Sequence, residues 1–402
     1  MKKHLTVFMF IDALGWEIIK KHGFCAQNLP FRYPVKMQLG YSSTAIPTIL
    51  SGKKPAEHKH FSFYYYDPVK SPFKIFKYLL LQYLPGKIFN RWRVRHILSR
   101  IIKKIYGFTG YFELYSMPYD RLPFFNYCEK TDIFAVNGLA PVKNLCDVLN
   151  ENNKKYLISD WRKPQAFNIE QMKKAVEKKT IEFGFLYTAD FDGFLHDNIK
   201  DAGAIAKEAK KYEQSIEELL QIGNDNYDDF TLAVISDHGM TPLSGTLDLK
   251  AQIDKLSLKF GKDYAAVFDS TMARFWFLNS PAREQIMKVL NSQTNARLLT
   301  QTEKEEYGIN FDDNMFGEEI LLLEPGIQIV PCDMGLNALP GMHGYSPEDK
   351  DSYACYLSNK AVSTPPEWVR DFFDIMVEQI KKGISGFHGK KFAKSVNDDI
   401  LK

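Results

Sequence analysis

The chain has 402 residues, of which 45% are hydrophobic and 25% charged, and these are the proportions of a soluble globular protein. Its five cysteines show no CxxC spacing, which argues against a disulfide framework and a thiolate zinc knuckle and favours a reducing compartment. The net charge is only +3, and the longest candidate apolar run, YLLLQYL at residues 78–84, is too short to cross a bilayer. We therefore expect a cytoplasmic protein, with peripheral membrane association as an alternative.

The first predicted element is a buried strand, LTVFMFID at residues 5–12. Two lysines precede this apolar run, as in a short signal peptide, but Asp12 interrupts it and no small-residue cleavage site follows. Further β-rich runs follow at residues 132–138, 156–160, 181–190 and 230–237. Each run is nearly continuous in apolar residues, which is typical of parallel strands that are covered on both faces.

Helical patterns alternate with these strands, at residues 143–153, 202–223 and 365–383. The alternation predicts an α/β fold with a doubly wound, mostly parallel sheet flanked by helices. Two segments break it and are interpreted as insertions: a basic, aromatic one at residues 68–125, and a small cap subdomain at residues 250–325 that includes a helical pattern at 281–293. The main domain would then comprise residues 1–67 and 126–402.

The basic insertion has ten lysine and arginine side chains and no acid between Val69 and Phe112. Three interpretations stay open. The segment could lie on an anionic membrane surface, attract a polyanionic or phospho-glycan substrate, or form a solvated helical face whose aromatic residues pack on the sheet. Nucleic acid ranks last, because no RNP, KH or helix-turn-helix pattern accompanies the basic residues.

Acidic side chains stand where three of the predicted strands end. Asp12 ends the first strand, Asp190 and Asp192 follow the strand at 181–190, and Asp237 ends the run LAVISD. Ligands of open parallel sheets bind beyond the carboxyl ends of the strands, so these acids should converge on one crevice. Buried carboxylates repel one another, and a bound cation would remove that conflict.

Three histidines accompany these acids. His238 follows Asp237 directly, His196 lies four residues after Asp192 and so one helical turn away, and His343 stands between glycines in PGMHGYSP. A lone acid at a strand end is usually a cap, and a lone histidine is usually structural. Their coincidence instead predicts two zinc or manganese ions, an arrangement used for in-line displacement at phosphorus. The candidate ligands are Asp12, Asp192, His196, Asp237, His238 and His343.

The segment LGYSSTAIPTILSGKKPAEH, residues 39–58, offers a partner for such ions. Its hydroxyl-rich start precedes a short helical pattern that ends at Gly52, so a hydroxyl lies at a helix N-terminus, where phosphate binds well. A metal-bound serine oxygen there could attack phosphorus. The alternative is that Ser42 or Ser43 is only an N-cap.

These motifs together resemble the alkaline phosphatase superfamily, and specifically its type I phosphodiesterase/nucleotide pyrophosphatase branch. The resemblance rests on FIDALGW, GYSSTAIPTILSGKKPAEH, DGFLH, SDHGM and MHGY, in this order. It implies one metal ion held by Asp12, Asp237, His238 and the nucleophile, and a second held by Asp192, His196 and His343. The ions would be zinc, with manganese as the alternative, and the nucleophile would form a covalent phospho-enzyme.

The nucleophile is where the chain departs from the family pattern. Counting ten residues back from Gly52, as the family spacing implies, reaches Ser42, but the Thr-Pro pair common in this branch is absent. Ser42 is therefore the first choice, followed by Ser43 and then Thr44. Asp190 competes with Asp192 as a ligand, but the family spacing of four residues before His196 selects Asp192.

The predicted function is a metal-dependent phosphoester hydrolase, of the phosphodiesterase or nucleotide pyrophosphatase type, that acts through a phospho-serine. One alternative is a phosphoryl or phospho-alcohol transferase or phosphomutase of the same superfamily, acting on a glycan or lipid. Another is a catalytically silent protein that binds membrane or polysaccharide through the basic insertion. The predicted partners are a phosphoester substrate and, through residues 68–125, an anionic membrane or phospho-glycan; residues that bind substrate are not assigned.

Overall fold

The computed structural model describes residues 4–79 and 91–382. Its strands are β1 His4–Ile11, β2 Phe31–Val35, β3 Tyr64–Tyr66, β4 Phe125–Tyr127, β5 Tyr156–Ile158, β6 Phe183–Thr188, β7 Asp229–Ile235, β8 Thr241–Pro242, β9 Gly245–Leu247, β10 Tyr264–Phe268, β11 Met272–Phe277, β12 Ala296–Leu298, β13 Glu319–Leu323, β14 Ile327–Ile329, β15 Gly341–Met342 and β16 Ala354–Ser358.

The α-helices of the same residues are α1 Trp16–His22, α2 Ser42–Ser51, α3 Pro55–His58, α4 Phe76–Leu79, α5 Trp92–Tyr106, α6 Leu145–Glu151, α7 Gln165–Glu177, α8 Asp190–Asn198, α9 Ala202–Asn226, α10 Leu249–Asp254, α11 Ser280–Asn291, α12 Gln301–Glu306 and α13 Asp371–Lys382. None of them is both long and apolar enough to pass through a membrane.

The main sheet has six strands in the order β2-β16-β7-β1-β6-β5. Neighbours from β7 to β5 pair in parallel, whereas β16 pairs antiparallel with both β7 and β2. The sheet is therefore mixed, with one strand reversed. The α/β fold with a mostly parallel, doubly wound sheet that was predicted from the sequence is confirmed.

Both faces of this sheet are covered by helices because the side chains of its strands alternate in direction. Along β1, Val7 and Met9 join a core with apolar residues of α1, α7, α8 and α9. Phe8 and Phe10 join a second core on the opposite face, with residues of α2, α6 and α13. Nearly all of β1 is buried, which explains why its sequence is continuously apolar.

The strand predicted at residues 132–138 is wrong, because this segment forms consecutive turns. Polar side chains nearby bind its backbone groups and replace the partners that a strand would need. Asn144 donates from its side chain to the carbonyl oxygens of Ile133 and Ala135, and Asp147 accepts a hydrogen bond from the Asn137 amide. Asn137 itself has a φ of 57°, which is incompatible with a strand.

A second, antiparallel sheet has the order β10-β11-β13-β12 and lies within residues 250–325. Aromatic residues of the basic insertion, such as Phe73 and Phe112, form a core with Ala265, Val267 and Trp276 of β10 and β11. The insertion is thereby attached to the cap rather than to the main sheet. The domain boundaries drawn from the sequence stay a prediction.

Candidate metal centre and catalytic serine

Three neighbouring strands of the main sheet deliver the predicted acids to one edge. β7, β1 and β6 are adjacent and parallel, so their carboxyl ends meet. Asp12 follows β1 directly, Asp237 follows β7 after one residue, and α8, which begins at Asp190 just after β6, presents Asp192. The convergence predicted from the sequence therefore follows from the strand order.

Asp12, Asp237 and His238 form one group, whose nearest oxygen and nitrogen atoms lie within 4.8 Å of one another. The His238 Nε2 is 3.2 Å from the Asp237 Oδ2 and 3.6 Å from the Asp12 Oδ1. Two backbone amides, of Ala13 and His238, donate to the Asp237 Oδ1 and fix that carboxylate. His238 Nδ1 lies 2.9 Å from the Gly239 carbonyl oxygen, and donating to it would leave Nε2 free to bind a cation.

Asp192, His196 and His343 form the second group, again within 4.8 Å. His196 lies one turn after Asp192 on α8, with 3.4 Å between Nε2 and the carboxylate, and the His343 Nε2 is 3.5 Å from the same carboxylate. The His196 Nδ1 contacts the Gly341 carbonyl oxygen at 2.9 Å, which orients the ring. All six predicted ligands are thus brought together. The rings of His238 and His343 stack at 3.8 Å, so the two groups form one acid–histidine centre.

Burial makes the charged form of two of the three carboxylates in this centre costly. Burial raises the pKa of Asp12 well above its ordinary value, and the charge of Asp237 raises it further. Burial raises the pKa of Asp237 as well. Burial also disfavours charge on Asp192, but hydrogen bonding to His196 and the nearby imidazoles keep its pKa below the ordinary value. Histidines are the only ion-pair partners that the described residues provide for these three carboxylates.

Several atoms of the acid–histidine centre are buried without a hydrogen-bond partner within the described residues: Asp192 Oδ1, Asp237 Oδ2 and His343 Nδ1. Burial, and then the neighbouring His238, hold the pKa of His343 well below its ordinary value, so its imidazole is neutral and able to bind a metal ion. Unsatisfied buried carboxylate oxygens are costly unless a cation neutralises them. Three carboxylates and three imidazoles are a donor set that fits two divalent ions.

Ser42 is the first residue of α2 and lies against this centre. Its Oγ is 3.1 Å from the His238 Nε2 and 3.5 Å from the Asp12 Oδ1. The N-cap of α2 is Tyr41, whose side chain makes no capping hydrogen bond, so the alternative that Ser42 is only a cap does not hold. The Ser42 hydroxyl therefore lies both at the N-terminus of α2 and beside the acid–histidine centre.

The other candidate hydroxyls are placed differently. Thr44 is fully buried and its Oγ1 donates to the carbonyl oxygen of Phe61, so this hydroxyl serves the fold. The Ser43 Oγ is buried and has no hydrogen-bond partner within the described part of the chain. Asp190, the competing acid, is exposed and belongs to neither group of ligands. Geometry thus favours Ser42 and Asp192, as the sequence spacing does.

A cavity of ≈ 680 Å³ opens onto Ser42 and the acid–histidine centre. Part of its lining, here called the aromatic wall, consists of Phe63, Tyr111, Tyr115, Phe134, Trp161 and Tyr187. Phe63 stacks on Tyr115 at 5.3 Å, and the hydroxyls of Tyr111 and Tyr115 hydrogen-bond at 2.9 Å. Sequence reasoning missed this wall, although the aromatic run YFELY at residues 111–115 of the basic insertion was a usable signal.

Glu129 also lines the cavity and is only 6% exposed. Its carboxyl forms no ion pair or side-chain hydrogen bond with any described residue. Burial, and then the charge of Asp132, raise the pKa of Glu129 to about 8. The cavity therefore has, besides the acid–histidine centre, a carboxyl group that is mostly protonated at neutral pH.

The type I phosphodiesterase/nucleotide pyrophosphatase family model matches residues 40–346 of the chain, which is most of its length. The chain belongs to this family, and it is a phosphoester hydrolase. The resemblance stated from the sequence motifs is confirmed. A sequence comparison with curated proteins finds no match.

Solved structures agree on the fold. Murine ectonucleotide pyrophosphatase/phosphodiesterase 5 is 14% identical, with a TM-score of 0.66 over 98% of each chain. The human protein of the same name is 12% identical, with a TM-score of 0.66 over 98% of this chain and 97% of that one. An inactive variant of the murine protein in complex with AMP is 14% identical, with a TM-score of 0.64 over the same shares.

Proposed function

We propose that the chain is a two-metal phosphodiesterase that forms a covalent intermediate on Ser42. The observation that carries this proposal is the position of the Ser42 Oγ, 3.1 Å from the His238 Nε2, at the N-terminus of α2 and in the lining of the cavity. One cation would be held by Asp12, Asp237, His238 and Ser42, and the other by Asp192, His196 and His343.

The residues of the chain divide the reaction between them. Two divalent cations, when bound, would lower the pKa of the Ser42 hydroxyl and offset the charge on the phosphoryl oxygens. The Ser42 oxygen forms a bond to phosphorus while the bond from phosphorus to the leaving alcohol breaks. The first turn of α2 presents backbone N–H groups to a phosphoryl oxygen, which favours the negative charge of the transition state. The covalent intermediate on Ser42 keeps the second organic group of the diester, and water then attacks its phosphorus, which releases a phosphomonoester and restores the Ser42 hydroxyl.

A diester is the preferred substrate in this proposal. A monoester needs room for one organic group, whereas this cavity, with its aromatic wall, is large enough for a second group next to the phosphate. Aromatic faces suit the stacking of a planar group such as a nucleobase. The AMP complex of the murine structural relative supports a nucleotide as the first substrate class to test.

Zinc is the first choice for the metal, and manganese is the alternative. Three imidazoles among seven protein ligands suit zinc, whereas manganese favours sites richer in oxygen. Asp12, Asp192 and Asp237 supply the carboxylate oxygens here. Metal analysis of purified protein, followed by reloading of chelated protein with each ion, identifies the ion that restores turnover.

A serine series tests the nucleophile. Ser42→Ala should lower turnover of a chromogenic phosphodiester by about 1,000-fold or more while the bound metal content stays near that of the unmodified protein. Ser43→Ala is the matched control and should retain most of the activity. Quenched reactions of the unmodified protein should contain Ser42 esterified to a phosphoryl group that still carries the second organic group of the diester. If Ser43→Ala is the inactive variant, or no covalent adduct on Ser42 is trapped, the assignment is wrong.

Comparison of chromogenic mono- and diesters tests the substrate class. We expect a higher kcat/KM for the diester, because its second organic group contacts the aromatic wall. A faster monoester would contradict the proposal. Products released in the presence of an added alcohol separate hydrolysis from transfer, since a transferase would attach the phosphoryl group to that alcohol.

A further inference from the structure

The helix α5 of the basic insertion exposes an apolar stripe. Ile97, Ile101 and Ile105 are 56%, 48% and 68% exposed, and their spacing of four places them on one face of the helix. The opposite face is buried through Arg95, Ser99 and Ile102. Three exposed isoleucines on successive turns of one helix face form an apolar patch. Such a patch is unusual on a surface that contacts only water, and it indicates a surface that binds a partner.

Basic side chains border this stripe. Arg93, Arg100 and Lys104 are exposed, and they form no ion pair within the described residues. Helical geometry at 100° per residue places all three beside Ile97, on the same half of the helix as the stripe. The sequence between Val69 and Phe112 contains no acid that could neutralise them. The exposed face of α5 therefore combines an apolar stripe with positively charged side chains beside it.

We propose that this face of α5 binds an anionic lipid bilayer, with the isoleucines in the acyl boundary and the basic side chains against the headgroups. A helix with an apolar stripe and flanking Lys and Arg residues is suited to lie in the plane of such an interface. A second copy of the chain fits less well, because its α5 would bring the same positive charges into contact. A soluble polyanion would use the charges but would leave the isoleucines in water.

The position of the insertion links this surface to the cavity. Tyr111 and Tyr115 follow α5 in the chain and form part of the aromatic wall. A bilayer bound to α5 would bring phosphodiesters of lipid headgroups near a cavity that the same insertion helps to build. This consequence for the substrate rests on the proposed function, whereas binding to the bilayer does not.

Vesicle co-sedimentation of the full chain tests the proposal without any measurement of turnover. We expect binding to vesicles of phosphatidylcholine mixed with phosphatidylserine, and weak binding to phosphatidylcholine alone. Binding should weaken as salt is added. Ile97→Ser/Ile101→Ser should lower the partition coefficient by about tenfold or more, since both apolar side chains leave the interface. Arg100→Gln/Lys104→Gln should lower it by about fivefold for each charge removed.

Matched controls separate the surface from general effects. Phe167→Ser removes an exposed apolar residue of α7, and Lys207→Gln/Lys210→Gln removes two exposed charges of α9. These variants should bind vesicles as the unmodified chain does. All variants should keep the rate on a soluble chromogenic diester, which shows that the fold and the proposed function are intact whatever the vesicle result.

Three outcomes would overturn the proposal. The first is no binding to phosphatidylserine vesicles at low salt. The second is binding that the isoleucine variant leaves unchanged, which would favour a soluble polyanion. The third is self-association in sedimentation velocity that Ile97→Ser/Ile101→Ser abolishes in the absence of vesicle binding, which would assign the stripe to a second copy.

Discussion

Asp190 and Asp192 stand two residues apart on α8, yet only Asp192 lies in the acid–histidine centre. Asp192→Asn should therefore lower kcat/KM on a phosphodiester by about 100-fold or more and reduce the bound metal, because one cation loses its carboxylate. The matched variant Asp190→Asn should change both quantities little. Metal analysis and initial rates of the two variants check the prediction, and equal losses in both would contradict it.

A second prediction at the residue scale concerns the protonation of Glu129. Burial raises its pKa to about 8 in the folded chain, against about 4.3 when it is exposed. The folded state therefore binds more protons between these values, and the stability that this contributes is lost as the pH rises through about 8. In metal-free protein, Glu129→Gln should be more stable than the unmodified chain at pH 9, by about 1 to 3 kcal/mol, and similar in stability at pH 5.

Urea denaturation at the two pH values measures this effect. A matched control is Glu170→Gln, which replaces an exposed glutamate on α7 and should show the same pH dependence as the unmodified chain. If Glu129→Gln follows the unmodified chain from pH 5 to pH 9, the carboxyl is ionised throughout and interacts with a cation or a donor that offsets its burial.

At the scale of an element, α2 depends on the glycine that precedes it. Gly40 has a φ of 126°, and a Cβ atom there would lie 2.3 Å from the Thr44 Oγ1. Gly40→Ala should destabilise the fold by about 2 to 4 kcal/mol, because it combines backbone strain with a clash inside the first turn of α2. It should also lower kcat on a phosphodiester by shifting Ser42. Gly203→Ala, in the first turn of α9, is the control and should leave both unchanged or slightly raise stability.

The element scale also shows where sequence reasoning succeeds. β1, β6 and β7 are buried on both faces, so their apolar runs and the acids that end them could be predicted locally. The segment 132–138 is equally rich in apolar residues, but its backbone is bound by Asn144 and Asp147. Such competition between side-chain and strand hydrogen bonds depends on tertiary contacts, and hydrophobic periodicity does not report it.

The candidate site likewise has one part that could be predicted from local sequence and one part that could not. Several ligands of the acid–histidine centre lie close together in the sequence, such as Asp192 and His196 or Asp237 and His238. Short spacings of this kind bring side chains together through local backbone geometry, so they could be predicted from the sequence. The aromatic wall joins Phe63 to Tyr111 and Trp161, which are far apart in the chain and meet only because the basic insertion packs on the cap. The run YFELY at residues 111–115 marks two of its members, but the contacts that assemble the wall are tertiary and no local pattern records them.

At the scale of the whole molecule, the acid–histidine centre opposes folding. Burial raises the pKa of Asp12 and Asp237, so the metal-free fold should lose stability as the pH rises through their raised pKa values. Each divalent ion that binds only the folded state should add about 2.7 kcal/mol of stability at a free concentration 100 times its Kd. The melting temperature should therefore fall on chelation and recover on addition of zinc.

Asp237→Asn separates this electrostatic cost from simple loss of a ligand. The amide removes the buried charge, so the metal-free variant should melt at the same temperature as the metal-free unmodified chain or above it at pH 8. It should also gain less from added zinc, because one carboxylate ligand is missing. Thermal melts of both proteins with chelator and with zinc measure this. A variant that melts lower without metal, yet gains as much from zinc, would show that Asp237 supports the fold through its two backbone hydrogen bonds and does not hold a cation.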